Sequence, residues 1–302
     1  MDESKPDAFL IKGVSWFKLN NLHESNVNLN KVIETNSNDS LKSDALFYIG
    51  LNKHFNGKYR EAIEEFEKSL RFNKANFKSL TWISFCHKNL NELSLAENLS
   101  NESIVQCNEC LDISEIIKSE VYYYKALNLY LLEKYDDSLE VLEKVFKLNP
   151  LYSDAFMVKA DILAAKNKTN DALEMANKSI QSDPLNARAY SIKADLLFKL
   201  KKFDLALKMY DKCIQLRPHS YMEYFRKGQI LYSLKKYDEA FECIDKSIEF
   251  FPLHNLEKGL LLLCLNKQDE ALICFDKFIK VDYNNYLDHF FKILVSFNFN
   301  HE

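Results

Sequence analysis

Cys107 and Cys110, separated only by Asn108 and Glu109, are the residues whose spacing comes nearest to reactive or metal-binding chemistry. A thiolate pair of this kind supplies half of a zinc site or one redox couple. Zinc needs four ligands, and there is no second pair. Cys86 and His87 stand about one helix away and would complete a tetrahedron only through a fortuitous fold. No strand-helix-strand pattern frames the pair for disulfide exchange. It is read as two ordinary helix-end cysteines, with metal or redox use as the alternative. The seven histidines include no two at metal-binding helical spacing, and HExxH, GxSxG and glycine-rich phosphate loops are all missing. No catalytic apparatus is visible, so neither an enzyme nor a cofactor is expected.

What must position any working residue is a repeat. Pro150, Pro184, Pro218 and Pro252 fall 34 residues apart, and Ala172, Ala206 and Ala240 each precede a proline by twelve. Two landmarks sharing one period mark a repeat architecture. Residues 186–218 read as two amphipathic helices joined by a short basic turn, with Pro218 ending the second helix for want of an N–H.

This unit resembles the tetratricopeptide repeat (TPR). Ala194 and Ala206 hold the family's small places at the helix crossing, and Tyr210 holds its aromatic plug. The resemblance implies an all-α, right-handed α-solenoid of about eight helix-turn-helix repeats in a single domain. Their bounds are approximately 6–42, 43–76, 77–110, 119–152, 153–186, 187–220, 221–251 and 252–285. Gly13, Gly50 and Gly228 stand at crossings, and Asn56-Gly57 should form a turn. The cap formers in ETNSNDSLKSD predict a long first junction. The step from Ala96 to Ser138 is 42, which places an insertion at 111–118 and an early helix start near Ile113. Between Ala240 and Ala271 the step shrinks to 31, so the last junction must be tight. Residues 286–302 predict a C-terminal capping helix apolar around most of its circumference, either a buried cap or a face for a partner or second copy.

In this family the first helices line a concave surface, and the fifth and ninth residues of each repeat contact ligands. The resemblance therefore implies a groove of Phe47, Leu51, Phe85, Tyr123, Leu127, Met157, Asp161, Asp195, Phe225 and Gln229. The expected partner is a peptide or helix with apolar anchors, each contributing ~1.5–3 kcal/mol, and with a Lys or Arg near the two carboxylates. The alternative is that these residues pack on one another and meet no ligand. The carboxylate clamp of co-chaperone TPR domains is not matched, since no repeat has Lys at its fifth and Asn at its ninth place.

Composition agrees with this frame. Five glycines, five prolines and 47% apolar residues suit short loops and a large core. With 40 basic against 44 acidic residues there is no field to draw nucleic acid. The first ten residues lack a signal-peptide pattern, and the longest apolar run, Leu260–Leu265, cannot cross a bilayer. The expectation is a soluble cytoplasmic protein-binding scaffold, with self-assembly into a homo-oligomer as the alternative.

Overall fold

A computed structural model describes residues 5–19, 21–35, 37–109, 115–218 and 220–280. Sixteen α-helices and no strands occur among the described residues, so the chain is an all-α array of hairpins. The first six helices are α1 (Pro6–Lys18), α2 (Leu22–Glu34), α3 (Asp39–Phe55), α4 (Tyr59–Phe72), α5 (Phe77–Asn89) and α6 (Leu93–Glu109). They are followed by α7 (Glu115–Leu131), α8 (Tyr135–Leu148), α9 (Ser153–Ala165), α10 (Thr169–Ser182) and α11 (Ala187–Lys199). The last five are α12 (Phe203–Leu216), α13 (Tyr221–Ser233), α14 (Tyr237–Phe250), α15 (Asn255–Cys264) and α16 (Gln268–Ile279).

Backbone chemistry at the two ends of each hairpin explains the period. A residue before proline is pushed out of the helical region. Asn149, Asp183, Arg217 and Phe251, each preceding one of the four prolines, have φ between −133° and −141° and end α8, α10, α12 and α14. Asn73 adopts the same conformation ahead of Lys74, so proline reinforces this stop without being required for it. Inside the hairpins, one residue turns left-handed. Gly57, Asn91, Asn167, Lys201 and Lys235 have φ between 56° and 74°, and only glycine meets this geometry without a steric cost.

The long first junction is not observed. α2 ends at Glu34 and α3 begins at Asp39, because Asn38 accepts the Leu41 N–H at 2.9 Å and caps a helix that takes up Asp39 and Ser40. The expected start near Ile113 and residues 286–302 lie outside the described residues, as does Cys110. At the last junction Pro252–His254 form a 3-10 turn, and α15 is only ten residues long. A 31-residue step thus removes about a turn from a first helix.

The chain divides into two compact units, Met1–Ile192 and Lys193–Glu302. In the first, each hairpin packs on the next, and α1, α3, α5, α7 and α9 also touch in succession, forming one layer. Its core runs through Leu29, Val32 and Ile49, then Phe66, Ile83 and Cys86, then Val121, Leu142 and Ile162. At Gly50 the missing side chain is essential to this packing, since a Cβ would lie 2.5 Å from the buried Phe66 ring. In the second unit Tyr210 and Ile244 are buried, and Leu262, Ala271 and Cys274 form a further cluster.

A serine in the C-terminal half of several second helices closes its own hairpin. The hydroxyls of Ser69, Ser103, Ser179 and Ser247 donate to the carbonyls of Ser43, Phe77, Ser153 and Tyr221 at 2.8–3.0 Å, always 26 residues back. Asn76 and Asn186, each immediately before the next first helix, join these pairs through Ser43 and Ser153.

Candidate functional site

Six of the ten groove residues are sealed by neighbouring helices. Phe47 packs edge-on against Tyr48 and tilts onto Phe66, and Leu51 joins the same cluster. Tyr123 stacks on Tyr152 at 5.1 Å, while Leu127 and Met157 are 2% exposed. In the second unit Phe225 is buried with its ring stacked on His254 at 4.2 Å. Phe85, Asp161 and Asp195 are half-buried, and Gln229 is exposed.

Both carboxylates already hold a cation. Asp161 meets Arg188 at 3.4 Å within the first unit. Burial alone would lower the Arg188 guanidinium, but Asp161, Tyr123 and Asp154 outweigh it and raise it. In the second unit Arg226 lies 3.2 Å from Asp195, which also accepts the Tyr210 hydroxyl. Burial nevertheless pushes the Asp195 carboxyl up. The cation expected from a partner near these acids is thus supplied by the chain itself.

The buried aromatic residues carry no reactive character. Desolvation lowers the His54 imidazole to about 3, with a smaller push from Arg188, and it faces Phe55, Tyr59, Trp82 and the Cys86 sulfur. The same burial raises the Cys86 thiol to about 12. Neither is a nucleophile or base near neutral pH. Among the described residues no group of three His, Cys, Asp or Glu side chains could hold a metal, and Cys107 is buried.

The layer of first helices in the first unit holds an opening. A cavity of about 420 Å³ lies between Leu10, Ile11, Val14, Ser15 and Lys18 of α1 and Asp44, Phe47 and Tyr48 of α3. Lys78 of α5 and Glu120 and Tyr124 of α7 complete it. Lys78 pairs with Glu120 at 2.7 Å and stands 6.0 Å over the Tyr124 ring. Burial pushes the Tyr48 hydroxyl up to about 12, helped by Glu120 and Asp44. Of the ten groove residues only Phe47 borders this cavity, though Leu10 and Val14, at the fifth and ninth places of the first repeat, also line it. Apart from Lys18, its charged lining comes from the second place of three repeats, and in the sequence Asp44, Lys78, Glu120, Asp154 and Arg188 form a charged column at that place. That column was the available signal, and the fifth-and-ninth pattern passes over it.

A family model described as Tetratricopeptide repeat protein 21 N-terminal ARM repeat matches residues 14–241. The chain belongs to this tetratricopeptide-repeat family. As a TPR α-solenoid it is of a kind that commonly mediates protein-protein interaction and is typically non-catalytic. Its fold is similar to that of yeast Tom70, with a TM-score of 0.63 and 18% identity, covering 94% of this chain and 62% of that one. A tetratricopeptide repeat protein from Parabacteroides merdae is similar at a TM-score of 0.51 and 17% identity, with 88% of this chain and 98% of that one covered. A thermophilic TPR protein in Thermus thermophilus gives 0.50 and 17%, with 63% and 99% covered. No protein of curated function matches this TPR chain by sequence. No helix among the described residues is long and apolar enough to cross a membrane.

Proposed function

We propose that this chain is a non-catalytic scaffold that captures a polypeptide on the first-helix layer of its first unit, with the cavity between α1, α3, α5 and α7 as the point of entry. The observation that carries this reading is the cavity itself. Its volume of about 420 Å³ falls in the range of roughly 300–1,000 Å³ typical of ligand clefts. Apolar walls from Leu10, Ile11 and Val14 stand beside charged and phenolic groups, a mixture suited to one side chain of a partner. The buried groove residues contribute by holding the layer rigid, so recognition passes to the open ones. A cytoplasmic location is part of this reading, in keeping with the buried thiols of Cys86, Cys213 and Cys274.

Selection of a displayed random-peptide library on the full chain tests this reading. Ile11, 53% exposed on the cavity wall, can be changed without disturbing the core. Ile11→Asp should abolish capture of selected peptides while the melting temperature stays unchanged. Undiminished capture by that variant, or no peptide selected by the wild type, would overturn it.

Self-assembly is the second reading, favoured by Leu272, Ile273 and Ile279 of α16, each at least 56% exposed. Light scattering over a concentration series decides it. A mass that stays at one chain throughout removes this alternative.

A further inference from the structure

One charge in the cavity of the first unit has no answering partner. Asp44 is half-buried on α3 and makes no hydrogen bond or ion pair among the described residues. Lys78 acts on it electrostatically, but the Lys78 ammonium is bonded to Glu120 at 2.7 Å. Lys18, the other lining cation, is exposed near the end of α1. Burial pushes the Asp44 carboxyl up, Lys78 opposes this and Glu120 adds to it. The ionised form is therefore under-solvated where it stands.

These facts discriminate among guests. A wholly apolar guest would bury Asp44 further without a partner, which is costly. An anionic guest would meet Asp44 and Glu120 with only one uncommitted cation, at the rim. An apolar stem ending in a cation fits both the walls and the open carboxylate, and long basic side chains have this form.

We propose that the cavity is an anchor pocket for a lysine or arginine side chain of the bound polypeptide, its alkyl stem along Leu10, Val14 and Phe47 and its cationic head on the Asp44 carboxylate. This rests on the polypeptide-binding reading and adds to it the residue type that fixes the partner's register.

Peptides selected from the displayed random library on the full chain should share a Lys or Arg. Replacing that residue by norleucine or citrulline should weaken binding to the wild type roughly tenfold or more and leave binding to Asp44→Asn unchanged. Asp44→Asn should melt at or above the wild-type temperature, because it removes an under-solvated carboxylate. A lower melting point would make Asp44 a structural residue and overturn the proposal. Selected peptides without a shared basic residue, or with equal affinity for both chains, would overturn the anchor and leave polypeptide binding standing. Failure to select any peptide would overturn both.

Discussion

Glu257 on α15 shows how much one residue's setting can matter to stability. Its Oε2 is buried without a hydrogen-bond partner, and burial raises the carboxyl to about 7 despite the opposing pull of its own backbone N–H. The folded state therefore keeps a proton that the unfolded chain releases near its ordinary value of 4.5. The resulting stability is fully present below about pH 4.5 and is lost as pH rises through about 7. Glu257→Gln fixes the neutral form. It should leave stability unchanged near pH 4.5 and raise it by roughly 2–4 kcal/mol above neutrality, at about 1.4 kcal/mol for each tenfold difference in proton affinity between the folded and unfolded chains. Urea denaturation at several pH values measures the difference, and parallel profiles for the two proteins would refute this account.

At the scale of the element, several hairpins are closed by small polar residues. The Ser69 hydroxyl donates to the Ser43 carbonyl at 2.8 Å, accepts from Asn76 and Ser79, and lies 2.9 Å from the Ser43 hydroxyl. All four residues are buried, so truncating one leaves the others short of a partner. Ser69→Ala should cost about 1–3 kcal/mol in chemical denaturation, more than the loss of the half-buried Ser182, which bonds only to Lys178 in its own helix. A cost indistinguishable from that of Ser182→Ala would mean that the network contributes nothing beyond packing. The element also shows why α3 departs from the long loop read into ETNSNDSLKSD. Asn and Ser satisfy a helix N-terminus as readily as a turn, and here Asn38 caps the helix and the following residues join it.

At the scale of the whole molecule, function turns on whether the first-helix stripe is open or closed. Phe47 and Tyr123 are 4% and 7% exposed, so the double variant Phe47→Ser, Tyr123→Ser should lower the melting temperature sharply, at a cost of about 3–5 kcal/mol per large aromatic removed. A melting curve unchanged in circular dichroism would show those side chains to be free. The sequence alone determined the period, the two-helix unit and the stops, because these follow from local chemistry. Pro150, Pro184, Pro218 and Pro252 act on the residue before them, and Gly57 allows a turn that a side chain resists. It also determined which side of each helix Phe47 or Asp161 occupies, since that depends only on 3.6 residues per turn. Only the tertiary structure decided whether that side is exposed. How closely the first helices approach one another is set by packing between residues distant in sequence, which buries Tyr123 against Tyr152 and commits Asp161 to Arg188. The same spacing leaves a cavity where Asp44 has no bonded counter-ion.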